Sequence, residues 1–215
     1  LDVGSVILRS TVEAALDAPL CVTIASARPG DGTTAVATGL ARAFAEAGYR
    51  TIVVDANPLE SAVGAAFGVV RLKIPAALDD GAPVAATTVG EGLDAASIAD
   101  RALVDSTSSG ALRAYIDELR SRYAAVILEA GDLFSSGLAV PCVTAADGTI
   151  IAVRYGRNPS PDDARAVTTL EAVGAKIIGV VPTGFPAARV RKSARGKVES
   201  EVAAAPIRRT GKSIA

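Results

Sequence analysis

Short runs of β-branched and aliphatic residues recur along this chain, each too apolar to leave a face in water and each followed by a longer segment of helical period. Leu20–Ser26 (LCVTIAS), 51–56 (TIVVDA), 124–130 (AAVILEA), 148–154 (GTIIAVR) and 175–181 (AKIIGVV) read as strands buried on both sides. In the segment after the first of them, Val36, Leu40, Phe44 and Ala47 fall on one helical face and Gly48 ends it. The segment 109–123 aligns Leu112, Ile116 and Leu119 in one stripe, and 160–174 (SPDDARAVTTLEAVG) is a further helix. A looser Gly- and Pro-rich stretch lies between, with a short helix expected at 61–67 and a weak strand at 93–98. Strands that are apolar on both faces and alternate with helices specify an α/β fold, a mostly parallel sheet covered by helices on both faces.

Composition narrows the chemistry. The 215 residues suffice for one domain with a real core, and with aromatics at 4% and no Trp that core must be built of Ala, Val, Leu and Ile. His 0 excludes an imidazole base, a Ser-His pair and a His metal ligand. Cys21 and Cys142 lie in apolar contexts and are expected to be reduced, buried and inert. A chain that starts at Leu1 with no Met is expected to be a trimmed fragment or an alternative start. No signal peptide is visible, and the apolar stretch 133–146 contains Pro141 and is too short to span a bilayer, so a cytoplasmic location is expected. Charge divides sharply: 187–215 carries eight basic and two acidic residues, +6, against −7 for everything before it. This implies a domain over 1–186 and a basic, flexible C-terminal tail over 187–215, which reads as a solvated end in preference to a nucleic-acid contact.

The first strand runs directly into 26–34 (SARPGDGTT) and then a helix. A Gly-rich turn at the C-terminal end of a parallel strand points backbone N–H groups and the helix dipole at an anion. Gly30 and Gly32 let the backbone curl, and Thr34 places a hydroxyl where a P-loop holds Mg²⁺. The full P-loop pattern is broken, since Ala27 takes the first Gly position and Thr33 the Lys position. Taken alone, a tight turn holding no ligand explains the sequence equally well. Asp55 and Glu129, each at the end of a later strand, stand where an enzyme of this topology sets acids around its metal. Asp55 also reads as the cap of the turn through Asn57 and Pro58, and Asp132 reads equally well as an acid in the metal space or as a turn residue.

From 8 to 183 the chain resembles the ParA/MinD superfamily of deviant Walker P-loop ATPases, a SIMIBI-type P-loop NTPase fold. Within it the chain looks most like the bacterial tyrosine autokinases of capsule and exopolysaccharide biosynthesis, the CpsD, CapB and Wzc kinase-domain type. The resemblance rests on LRST, VTIASARPGDGTT, GLARAFAEAGYRTIVVDANP, YAAVILEAGD, ADGTIIAVRYGRNPSPDDA and IIGVVPTGF, in that order. It implies ATP or ADP with Mg²⁺ as cofactors. The implied nucleotide-binding residues are Arg28, Pro29, Gly30, Asp31, Gly32, Thr33, Thr34 and Thr183. Asp55 and Glu129 are the implied catalytic acids, and Thr34, Asp55 and Glu129 the implied Mg²⁺ ligands.

The same resemblance exposes departures. The phosphate-binding lysine falls at Thr33, the Walker B aspartate at Glu129, and the asparagine expected near the base at Thr183. An upstream assembly motif of Glu and two Arg survives only as Arg9, and the C-terminal tyrosine cluster is missing, the four tyrosines being Tyr49, Tyr115, Tyr123 and Tyr155. Replacing lysine by threonine removes a charge-assisted contact worth roughly 1.5–3 kcal/mol in binding, and lengthening Asp to Glu displaces a carboxylate that Mg²⁺ needs in a fixed place. The expectation is a catalytically impaired, degenerate protein serving as a regulatory or partner subunit in polysaccharide assembly. Its partner is expected to be a membrane-anchored assembly component or a second copy, with recruitment to the inner face of the membrane. The alternatives are an active ATPase or tyrosine autokinase in which Arg28 replaces the lost cation, and a ParA-like positioning ATPase that binds DNA or membrane through the basic tail.

Overall fold

The computed structural model describes residues 2–58, 60, 62–73, 85–98, 109–135 and 137–185. The strands are β1 (Leu20–Ser26), β2 (Thr51–Asp55), β3 (Thr87–Gly90), β4 (Leu93–Ser97), β5 (Ala125–Asp132), β6 (Gly148–Arg154) and β7 (Ile177–Thr183). The helices are α1 (Val3–Ala15), α2 (Thr33–Glu46), α3 (Val63–Ala66), α4 (Ser109–Arg122), α5 (Ala139–Ala145) and α6 (Pro161–Ala172). Among the described residues the strands form one sheet in the order β3-β4-β2-β5-β1-β6-β7, parallel throughout except for the antiparallel edge strand β3.

The period-2 alternation of each strand sorts its side chains between two cores. Cys21, Ile52, Val54, Val126 and Leu128 face α4, α5 and α6, packing on Leu112, Ile116, Leu119, Cys142 and Leu170. Val22, Ile24, Val53, Ile127 and Ile150 face α1 and α2, packing on Val12, Val36, Leu40 and Phe44. Both cysteines are free and buried. The same parity directs Asp55 and Glu129 to the α2 side, because each lies an even number of residues from Val53 and Ile127.

Most expected elements are present with small changes of boundary. Ala47 is exposed beyond the end of α2 and does not extend its buried stripe. The strand expected to be weak, β4, has Leu93, Ala95, Ala96 and Ser97 buried, because it pairs with β2 inside the sheet. Conversely β7 alternates between half-buried and exposed, with Val180 at 62% exposure, because it is an edge strand without a neighbour on its outer side among the described residues. The sequence reading gave no helix at α1 or α5 and no strand at β3. In α1 the start is fixed by Asp2, whose carboxylate accepts from the Ser5 N–H at 2.9 Å. Pro141 lies in the first turn of α5, where its missing N–H has no intrahelical acceptor. The tail at 187–215 lies outside the described residues. No described helix is long and apolar enough to cross a membrane.

Candidate functional site

The chain leaves β1 at Ser26, turns through 27–32 and enters α2 at Thr33. The turn depends on two glycines in the left-handed region, Gly30 at φ +73° and Gly32 at φ +90°. A Cβ on Gly32 would stand 3.0–3.2 Å from three atoms of the Thr183 side chain, so both the dihedral and the close approach exclude other residues.

Every carbonyl of this loop from Arg28 to Gly32 accepts a hydrogen bond. Ser26 Oγ donates to Arg28 O at 2.9 Å. The Arg157 guanidinium reaches Pro29 O at 3.4 and 3.5 Å, and Arg154 donates to Gly30 O at 3.2 Å. Thr183 Oγ1 donates to Asp31 O at 2.6 Å, and the Val36 N–H of α2 donates to Gly32 O at 3.1 Å. Among the described residues, none accepts from the N–H groups of Gly30, Gly32, Thr33 or Thr34. Loop carbonyls tied outward and loop N–H groups left open at a helix N-terminus are the geometry of an anion cradle. Asp31 itself is 1% exposed and its carboxylate meets Arg157 at 2.8 Å, a charge–charge contact whose N–H vectors do not line up on that oxygen.

The acidic side of the site is built differently. Asp55 and Glu129 are in-register neighbours on β2 and β5, both fully buried. Directly after Glu129, β5 bulges at Ala130, and Gly131 at φ +68° follows because a Cβ there would meet the Asn57 side chain at 2.6 Å. Thr33 Oγ1 donates to Glu129 Oε1 at 2.6 Å, so the residues at the two positions where the resemblance expects lysine and aspartate are bonded to one another. Glu129 Oε2 is buried with no hydrogen-bond partner. Burial raises the Glu129 carboxyl to about 7, with the nearby Asp55 charge adding to the rise and the Thr33 hydrogen bond opposing it. Asp55 accepts from the Asn57 N–H at 3.1 Å and the Val63 N–H at 3.2 Å, which is the turn-capping role.

The remaining sequence candidates separate. Thr34 stands in the first turn of α2, half-buried. Thr183 is a strut beneath the loop, bonded to its backbone. Asp132 caps its own turn through the N–H groups of Phe134 and Ser135. Arg28 faces away from the acids: it pairs with Asp163 at 3.3 Å near the start of α6 and donates to Asn158 O at 3.4 Å. Sequence reasoning did not single out Arg154 and Arg157, although both lie in the RYGRNPS segment that follows β6. The available signal was a pair of arginines at the C-terminal end of a buried strand, at the sheet edge where this fold places its ligand sites. Tyr155 in that segment stacks on Phe185 at 4.6 Å, leaving both rings more than half exposed.

The residues present fit a phosphate. Open N–H groups and a helix dipole suit an anion. On the acidic side, the Thr33 bond occupies one Glu129 oxygen and leaves the other without a partner, Asp55 caps a turn, and no group of three or more acidic or thiol side chains able to hold a metal occurs among the described residues.

A mostly parallel sheet with a Gly-rich loop between the interior strand β1 and the following helix fits a P-loop nucleotide-binding fold. The family model described as the CobQ/CobB/MinD/ParA nucleotide binding domain matches residues 22–211, and the chain belongs to that family. No curated protein matches it. Among solved structures, the chimerical protein CapA2B2 is similar at 23% identity and TM-score 0.69, covering 85% of this chain and 84% of that one. The VpsO kinase domain is similar at 19% identity and TM-score 0.71, covering 85% and 93%. Cobyrinic acid a,c-diamide synthase from Mycobacterium smegmatis, solved with bound ADP and magnesium, is similar at 19% identity and TM-score 0.63, covering 78% and 76%. At these identities the likeness is one of fold.

Proposed function

We propose that this chain is a nucleotide-binding member of the family whose phosphoryl-transfer chemistry is impaired, and that it acts as a regulatory or partner subunit in exopolysaccharide or capsule assembly. The observation that carries the nucleotide reading is the loop whose carbonyls from Arg28 to Gly32 are all hydrogen-bonded while, among the described residues, none accepts from the N–H groups of Gly30, Gly32, Thr33 or Thr34. ADP or ATP is the ligand class, as ADP is in the cobyrinic acid a,c-diamide synthase structure. Impairment follows from Thr33 and Glu129. A hydroxyl cannot neutralise β- and γ-phosphate charge as an ammonium does, and this one is engaged by Glu129. The polysaccharide context rests on the resemblance to the tyrosine autokinases. With it come a cytoplasmic location and recruitment to the inner face of the membrane by a membrane-anchored component. A partner role in place of a kinase role is supported by the missing tyrosine cluster.

Isothermal titration of Mg-ATP and Mg-ADP, with Thr33→Lys and Thr33→Lys/Glu129→Asp beside the parent, tests this. The expected result is weak binding of both nucleotides by the parent without turnover, and tighter binding by about 1.5–3 kcal/mol in Thr33→Lys. The double variant should gain more than its parts, because the two positions are in contact. Parental ATP turnover at a rate ordinary for kinases would sink the impairment, and binding by none of the three chains would sink the nucleotide reading.

A further inference from the structure

Three consecutive loop carbonyls, those of Pro29, Gly30 and Asp31, are held by side chains that come from outside both the loop and α2. Two of the three holders are arginines of one segment, Arg154 and Arg157. A peptide unit whose C=O is fixed on one side has its N–H fixed on the other. The outward bonds therefore set the inward direction of the N–H groups without any ligand. Arg157 cannot serve mainly as a charge for phosphate, because the buried Asp31 carboxylate 2.8 Å away cancels it at a distance. Arg154 meets no acidic partner among the described residues, and its contact is to a loop carbonyl.

We propose that Arg154 and Arg157 are positioning residues that hold the loop in its anion-binding shape in advance of the ligand, in place of the order that a lysine at position 33 would impose through the phosphates. The inference rests on the nucleotide reading and adds to it the residues that make the cradle rigid. Preorganisation raises affinity by removing the ordering entropy from the binding step.

Backbone ¹⁵N relaxation on the ligand-free chain, combined with titration of tripolyphosphate, tests the proposal. The variants are Arg154→Gln and the charge-balanced Asp31→Asn/Arg157→Gln, which avoids stranding a buried carboxylate. In Arg154→Gln the amide order parameter of Asp31, and in Asp31→Asn/Arg157→Gln that of Gly30, is expected to fall from a rigid value near about 0.85 to below about 0.6, with β1 and the centre of α2 unchanged. Tripolyphosphate affinity should weaken about tenfold in Arg154→Gln, and Arg154→Lys should recover much of the loop order. Rigid loop amides in both variants would overturn the proposal, as would a loosened loop with parental tripolyphosphate affinity. A parent that binds neither tripolyphosphate nor ATP overturns the nucleotide reading on which the proposal rests. The two failures are told apart because the order parameters are measured without ligand.

Discussion

The two sides of the ligand edge solve opposite problems. On the loop side, cations and hydroxyls from β6, the segment after it and β7 grip the backbone from outside, and the inner N–H groups stay free. On the acid side, Thr33 and Glu129 bond to each other inside the site, and one carboxylate oxygen is left buried without a partner. One side is ready for an anion and the other is closed upon itself. On the function proposed above, holding a phosphate and transferring one are separable tasks in this fold. The first needs backbone geometry, which survives many substitutions. The second needs a cation and a metal-bound carboxylate at fixed points.

The largest expected effect lies on the acid side. In the folded chain Glu129 keeps its proton up to about pH 7, against an ordinary glutamate value of 4.5. Folding therefore binds a proton in that window, so stability falls as pH rises from about 4.5 to 7 and levels off above it. Glu129→Gln keeps an acceptor for Thr33 and removes the charge. Denaturant unfolding should show it more stable than the parent at pH 8 by on the order of 3 kcal/mol, with the slope between pH 5 and 7 flattened. An unchanged slope would mean that the acid side is not strained by a buried charge. Gly32→Ala addresses the loop side. A left-handed dihedral and a methyl group pressed on Thr183 should cost about 2 kcal/mol and abolish tripolyphosphate binding in titration, without altering the pH profile. Should Gly32→Ala instead move the pH profile, the two sides would be one coupled unit. The smallest effect belongs to Asp132→Ala, which removes two backbone caps and should lower stability by about 1 kcal/mol by thermal unfolding while leaving ligand titration unchanged. A loss of nucleotide affinity in that variant would move Asp132 from the turn into the site.

Legibility in the sequence followed the range of the interactions concerned. Buried strands such as Ile52–Val54 and Val126–Leu128 announce themselves because burial on both faces demands uninterrupted apolar residues. The helix α4 was visible for a related reason, its stripe of Leu112, Ile116 and Leu119 having a period of its own. By contrast, β4 looked weak because Asp94 and Ser97 interrupt it, and only its pairing with β2 between two cores explains its burial. The first helix was missed because much of its apolar surface, Val3 and Ile7 among it, is exposed and marks no buried face. Within the site, the loop, Asp55 and Glu129 were legible from their places at strand ends. The arginines that hold the loop were not, since Arg154 and Arg157 are more than 120 residues away in the chain from the carbonyls they touch.

The sequence by itself determined the alternation of strands and helices, the absence of histidine, the glycine turn at the first strand and the presence of threonine at position 33. These are properties of residue type and local spacing, and they hold whatever the chain packs against. Tertiary structure alone decided that Thr33 bonds to Glu129, that Arg28 turns to Asp163, and that the loop carbonyls are gripped from β6 and β7. The physical reason is that a side chain's partner is set by which strands lie side by side. That order, β5-β1-β6-β7, is fixed by the packing of two cores rather than by any segment read alone.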